Sequence, residues 1–143
     1  MNDIYYMNLA LKEAKKAYLK DEVPIGCIIV KNDHVIAKSY NQKTLKNVAT
    51  YHAEVLAINA SCKKLKTWYL EGCTLYTTVE PCLMCTGAII QSRISRVVYG
   101  TSNESFGQLS KMKTLKIEVT KDILKEECSS ILTDFFQKKR NES

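Results

Sequence analysis

The spacing of apolar residues along the chain narrows the choice of fold more than any other feature. Four segments place apolar side chains at helical intervals, and five shorter segments form apolar or alternating runs of strand length. The predicted helices span residues 3–20, 52–65, 81–92 and 122–139, and the predicted strands span residues 25–30, 35–40, 73–79, 96–99 and 115–119. Residues 41–50 are polar and lack a period, so we expect a loop there. This order of elements predicts a three-layer α/β/α fold with a central mixed five-stranded sheet.

The size and charge of the chain set broad limits on its function. Its 143 residues suit one compact domain, and we expect residues 1–143 to form a single domain. The net charge of +6 is compatible with a polyanionic partner such as RNA, although a lysine-rich surface exposed to water is the simpler interpretation of charge alone. No signal peptide or membrane-spanning stretch is visible, so we expect a soluble cytoplasmic protein with no membrane partner. In that compartment the six cysteines are expected to be reduced thiols or metal ligands rather than disulfides.

A Cys-x-x-Cys pair marks the start of the third predicted helix. Cys82 and Cys85 follow Pro81, and their spacing lets both thiols point at one atom. The helix N-terminus favours their thiolate forms. Alone, the pair is compatible with a metal site, a redox pair or two unconnected buried thiols. Glu80, directly before this motif, is interpreted as an acid that favours the helix N-terminus.

A second motif, His52-Ala53-Glu54, opens another predicted helix and changes the balance between these alternatives. Catalytic zinc takes three nitrogen or sulfur ligands and leaves its fourth position to water. His52, Cys82 and Cys85 supply that number of ligands. Glu54 lies two residues beyond the histidine, where a carboxylate can take a proton from such a water and deliver it to a leaving amine.

The two motifs together form the H-x-E and P-C-x-x-C signature of zinc-dependent nucleobase deaminases. The chain resembles the cytidine deaminase-like superfamily and, within it, the bacterial tRNA-specific adenosine deaminases. The resemblance covers nearly the whole chain and is carried by residues 23–26, 41, 52–54, 78–88, 96–100 and 134–136. Residues 101–116 are shorter than in that family, so the resemblance assigns no RNA contact there.

This resemblance implies an activity and a site. One zinc ion per chain would be held by His52, Cys82 and Cys85, and Glu54 would be the catalytic proton shuttle. The reaction would be hydrolytic deamination of the wobble adenosine to inosine in the anticodon stem-loop of a tRNA. The enzyme would be a homodimer, with the RNA near the subunit interface.

The resemblance also assigns residues to the substrate. Asn41 would hydrogen-bond the flipped base, and Ile25 and Ala53 would line its pocket. Contacts with RNA are expected from the C-terminal helix, whose candidates are Phe135, Lys138, Lys139 and Arg140. For the three basic residues, a helix end exposed to water is an equally good interpretation, and for Phe135 a place in the core is the better one.

Two other classes of function remain open on the sequence alone. A deaminase of a free base or nucleoside, of the cytosine, guanine or cytidine type, would share the zinc core and need no basic surface for RNA. A non-catalytic zinc-binding subunit is the other alternative. The intact Glu54 argues against it, because a structural zinc site needs no carboxylate and usually closes its fourth position with a protein ligand.

Overall fold

A mixed five-stranded sheet forms the centre of the structure, a computed structural model that describes residues 2–112 and 116–142. The strands are β1 (Gly26–Lys31), β2 (His34–Tyr40), β3 (Cys73–Val79), β4 (Arg96–Thr101) and β5 (Glu118–Thr120). They lie in the order β2-β1-β3-β4-β5. Strand β1 is antiparallel to β2 and β3, whereas β3, β4 and β5 are parallel to one another. The sequence-based prediction of a mixed five-stranded sheet is therefore confirmed.

Helices cover both faces of this sheet. They are α1 (Asp3–Leu19), α2 (Lys43–Lys46), α3 (Ala53–Leu65), α4 (Leu83–Gln91) and α5 (Lys125–Glu142), and a short 3-10 turn spans Leu109–Lys111. Successive side chains of a strand point to opposite faces, so Cys27 and Ile29 pack with α3 and α4, while Ile28 and Val30 pack with α1 and α5. Two separate cores result, one on each side of the sheet. No helix within residues 2–112 and 116–142 is both long enough and apolar enough to cross a membrane.

The observed elements differ from the predicted ones mainly in the connections. The predicted loop at residues 41–50 contains the single-turn helix α2, because the buried carboxylate of Glu22 accepts the backbone N–H groups of Thr44 and Leu45. The predicted strand at residues 115–119 is observed at Glu118–Thr120, and its first residue, Leu115, lies outside the described residues. Tertiary contacts rather than local pattern decide these segments.

A two-pronged ion pair joins α1 to the sheet. Arg96 donates from Nη1 to Asp3 Oδ1 at 2.9 Å and from Nη2 to Asp3 Oδ2 at 2.7 Å. The hydroxyl of Tyr76 donates to Asp3 Oδ1 at 2.8 Å. The hydrogen bond from Arg96 is the main reason that the pKa of Asp3 lies below its ordinary value. The pair therefore holds the first turn of α1 against β3 and β4.

We predict that Asp3→Asn lowers the free energy of unfolding at pH 7 by about 1–3 kcal/mol, because charge-assisted hydrogen bonds are lost. A carboxyl with a depressed pKa in the folded state stabilises above its unfolded pKa of about 3.9, and the effect disappears as pH falls through the folded value. The difference between wild type and variant should therefore shrink below about pH 4. Urea denaturation at several pH values measures it.

The matched control is Glu118→Gln, which removes the second acid near Arg96. That carboxylate is 3.5 Å from Arg96 and its side chain is 72% exposed, so its loss should cost less than about 1 kcal/mol. Equal losses for the two variants would contradict the importance of the Asp3 contact.

Candidate metal centre and active site

Two helix starts bring the predicted metal ligands together. His52 and Cys82 occupy the N-cap positions of α3 and α4, both with extended backbone. His52 Nδ1 lies 3.7 Å from Cys82 Sγ and 3.5 Å from Cys85 Sγ, and the ligand atoms of all three residues lie within 4.8 Å of one another. Residues from two distant parts of the chain thus form one compact cluster.

The dimensions and donor atoms of this cluster fit a zinc ion. Zinc–sulfur and zinc–nitrogen bonds of about 2.3 and 2.0–2.1 Å at tetrahedral angles would separate the nitrogen from each sulfur by roughly 3.6 Å. The two observed separations of 3.7 and 3.5 Å bracket that value. One imidazole and two thiols are also a donor set that zinc favours. The three residues can therefore hold a metal ion without rearrangement.

Contacts within the cluster shift the pKa values of its members in opposite directions. Hydrogen bonds from Cys85 and then from His52 lower the pKa of Cys82 to about 3. The same Cys82–Cys85 hydrogen bond raises the pKa of Cys85, and the contact with Cys82 raises the pKa of His52. The lowered pKa favours the thiolate of Cys82, which is the form of cysteine that binds metal ions.

Glu54 lies beside the cluster, on the first turn of α3. Its side chain is buried, with the residue 4% exposed, and it lines the same cavity as His52 and Cys82. Burial is the main reason that its pKa is raised to about 7. A carboxyl group that titrates near neutral pH can both accept and release a proton during a reaction.

The cavity at this cluster has a volume of about 550 Å³, within the usual range for small-molecule sites. Besides His52, Glu54 and Cys82, its walls include Ile25 and Phe106. A cavity of about 610 Å³ lies past the C-terminal end of α4, but it contains none of the metal-ligand candidates and no acid next to them. The chemistry is therefore assigned to the smaller cavity.

Of the three predicted substrate contacts, the structure places only Ile25 in the cavity wall. Ala53 is fully buried in the core and its carbonyl accepts a hydrogen bond from Ser39, and its place in the pocket lining stays a prediction. Asn41 is buried behind Ile25. Its Nδ2 donates to the Val23 carbonyl at 3.3 Å and its Oδ1 accepts from the backbone of Lys43 at 3.2 Å. It is not among the residues that line the cavity, and its contact with a base stays a prediction.

The predicted RNA contacts on α5 fall into two groups. Phe135 is 5% exposed and packs against Tyr18 of α1, as expected of a core residue, and its contact with RNA stays a prediction. Lys138 and Arg140 are exposed, whereas Lys139 is half-buried and forms an ion pair with Asp21. The surface of the helix therefore carries the basic side chains of Lys138 and Arg140 and the 44% exposed ring of Phe136.

A further buried acid at the site, Glu80, has only a weak signal in the sequence. Glu80 was interpreted as an acid favouring the helix N-terminus, but it is 3% exposed and lines the cavity. Its carboxylate accepts hydrogen bonds from the backbone of Asn103 at 3.2 Å and from the backbone and hydroxyl of Ser110 at 2.8 and 2.6 Å. A carboxylate directly after the wholly buried strand β3 was the one available signal.

Comparisons with known proteins agree with this geometry. The profile of the MafB19-like deaminase family matches residues 1–140. A tRNA-specific adenosine deaminase of Bacillus subtilis is 42% identical over 96% of this chain and 91% of its own length. A structure from work on A-to-I editing by tRNA A34 deaminases at the wobble position superposes with a TM-score of 0.85, at 37% identity over 90% of this chain and 99% of that chain.

A guanine deaminase structure from Nitrosomonas europaea has a TM-score of 0.81 at 24% identity, over 90% of this chain and 81% of that chain. This identity is low, so the likeness shows a shared fold only. The chain belongs to the MafB19-like deaminases and, within them, to the family of tRNA-specific adenosine deaminases.

We predict about one metal ion per chain in protein purified without added metal, as measured by elemental analysis. Cys82→Ser and Cys85→Ser should each lose most of that metal, because each removes one of three ligands. Cys62→Ser is the matched control, since Cys62 is a half-buried thiol outside the cluster. Full metal content in the double variant Cys82→Ser/Cys85→Ser would show that the metal is bound elsewhere.

Proposed function

We propose that this protein is a zinc-dependent enzyme that hydrolyses the wobble adenosine in the anticodon stem-loop of a tRNA to inosine. The observation that carries the proposal is the joint placement of Glu54 and of a three-residue metal cluster in one cavity, in a member of this family. His52, Cys82 and Cys85 are the proposed zinc ligands.

The overall reaction replaces the exocyclic amine of adenine with an oxygen from water and releases ammonia. When bound, zinc would lower the pKa of a coordinated water so that hydroxide is available at neutral pH. Glu54 is the proposed proton carrier: its carboxylate takes one proton from water and places it on the ring nitrogen beside the amine. It then takes the remaining proton from the attacking oxygen and passes it to the amine, which leaves as ammonia. Its near-neutral pKa suits both directions of transfer.

The proposed tRNA partner is supported by the family and by charge. The chain carries a net charge of +6, and Lys138 and Arg140 are exposed on α5, which adds positive charge to that surface. An adenine in a loop leaves its stack more easily than one in a duplex, so it can enter the cavity at low cost. We place the activity in a single deaminase domain in the cytoplasm, consistent with a profile match to residues 1–140 and six free cysteines.

We predict that Glu54→Gln keeps its metal and its affinity for an anticodon stem-loop. Its conversion of adenosine to inosine should be about 100-fold to 10,000-fold slower than that of wild type. The reason is that the amide cannot carry protons, while phosphate contacts lie elsewhere on the surface. Single-turnover assays measure conversion, and filter binding measures affinity.

Glu13→Gln is the matched control, because Glu13 is a buried glutamate on α1, on the other side of the sheet. It should convert the stem-loop at close to the wild-type rate. Near-normal turnover by Glu54→Gln would refute the role of Glu54. A wild type that ignores the stem-loop but deaminates free cytosine, guanine or cytidine would establish the alternative class of deaminase, and a wild type inactive on every substrate would favour a non-catalytic zinc subunit.

A homodimer is proposed as well, since one face of α4 is apolar and uncovered. Leu83, Met84 and Ile90 are 69%, 37% and 36% exposed, and Gly87 between them has open space around its Cα. Large apolar patches of this kind mark interfaces more often than free surface. Leu83 and Met84 also border the cavity, so a second copy on this face would extend its wall.

Light scattering at micromolar concentration should therefore report twice the chain mass of 16.3 kDa. Ile90→Lys should shift the protein toward monomer, because it buries a charge in the proposed interface. Leu19→Lys, which changes an 83% exposed residue at the end of α1, should leave the dimer intact. A fully active wild-type monomer at that concentration would rule out the proposed dimer.

A further inference from the structure

The loop between β4 and the 3-10 turn, residues 102–111, forms one wall of the active-site cavity. Phe106 lies in that wall, and it is 69% exposed. Its ring stacks on no other aromatic ring among residues 2–112 and 116–142. Single exposed apolar residues are common on proteins, so exposure by itself assigns no role to Phe106. A role for Phe106 is indicated instead by the hydrogen bonds that join the loop around it to the active-site segment.

The backbone on the C-terminal side of Phe106 is tied to the metal-binding segment. Gly107 forms an isolated β-bridge with Cys82, and the Gln108 N–H donates to the Pro81 carbonyl at 3.2 Å. Cys82 is a proposed metal ligand. The backbone that follows Phe106 is therefore hydrogen-bonded directly to the segment that carries a proposed metal ligand.

The N-terminal side of Phe106 is tied down through Asn103. Asn103 Oδ1 accepts the Phe106 N–H at 3.0 Å, and the Asn103 carbonyl accepts the Gly107 N–H at 2.8 Å. The Asn103 N–H in turn donates to the buried carboxylate of Glu80. A Cβ on Gly107 would lie 2.4 Å from the Asn103 carbonyl oxygen and 2.5 Å from Glu80 Oε1, so only glycine fits there. The turn holds Phe106 in one place.

Two residues that line the cavity, Glu54 and Phe106, differ strongly in their exposure to solvent. Glu54, 4% exposed, lies at the inner part of the cavity with the metal cluster, while Phe106 is a mostly exposed residue of the same wall. A base that reaches Glu54 must be turned out of its stack, which leaves the neighbouring base without a partner. An aromatic side chain at the mouth can replace that lost stacking.

We propose that Phe106 is a substrate-binding residue that stacks on the base next to the target adenosine, and that Glu80 is the positioning residue that holds it there. This inference rests on the proposed function, since it assumes a polynucleotide substrate. It also supplies a source of selectivity, because a free base or nucleoside has no neighbouring base to stack.

The test compares anticodon stem-loops in which the nucleotide on either side of the target adenosine is intact or abasic. With the intact stem-loop, Phe106→Ala should raise KM by about tenfold to a hundredfold and leave kcat within about twofold. Phe106→Trp should restore KM. One of the two abasic substitutions should raise the KM of wild type to a similar extent and have little further effect on Phe106→Ala.

Glu80→Gln should raise KM in the same direction, and combining it with Phe106→Ala should add little, because both act on one contact. Tyr5→Ala, which removes a 55% exposed aromatic side chain on the opposite layer, is the matched control and should leave KM unchanged. Metal content and thermal unfolding confirm that each variant is folded.

An unchanged KM for Phe106→Ala, or full additivity of Phe106→Ala with both abasic substitutions, would overturn the stacking proposal while leaving the proposed function intact. A wild type that does not convert the intact stem-loop would instead overturn the proposed function. The two failures are therefore distinguishable in the same set of assays.

Discussion

The site depends on two helices, α3 and α4, that begin side by side against one face of the sheet. Each contributes its N-cap residue, His52 or Cys82, to the cluster, and each adds one residue from its first turns, Glu54 or Cys85. Helix N-termini favour anions, so both a thiolate and a carboxylate are acceptable there. The sheet supplies the rigid support, because β3 leads directly into the segment that carries Pro81 and Cys82.

Two buried glutamates give the surrounding loops a definite shape. Glu80 accepts backbone N–H groups from the loop that carries Phe106, and Glu22 accepts those at the start of α2. Burying a carboxylate is costly unless several hydrogen bonds compensate, and the N–H groups of loops need acceptors in turn. Each glutamate thus meets both requirements, and the cavity gains a wall of fixed position from a segment with almost no regular structure.

Much of the fold could be predicted from sequence because periodicity reports burial directly. The continuous apolar run of β1 and the helical spacing in α1 each need only local sequence to be recognised. The contacts of single side chains cannot be recognised in this way. Ala53 and Phe135 are buried in cores that distant segments complete. The side-chain amide of Asn41 is hydrogen-bonded to the backbone of Val23 and Lys43, and no rule of sequence spacing identifies these partners.

The sequence by itself determined the order of helices and strands, the mixed α/β/α class, and the residue types available for a metal and a proton carrier, because these follow from short-range patterns and motif spacing. Only the tertiary structure decided that His52 lies 3.7 and 3.5 Å from two cysteines some thirty residues further along the chain. It also decided that Glu80 supports the loop of Phe106. Those contacts join segments that sheet pairing and burial bring together. A local sequence pattern does not specify the distance between two side chains that become neighbours only when the chain packs.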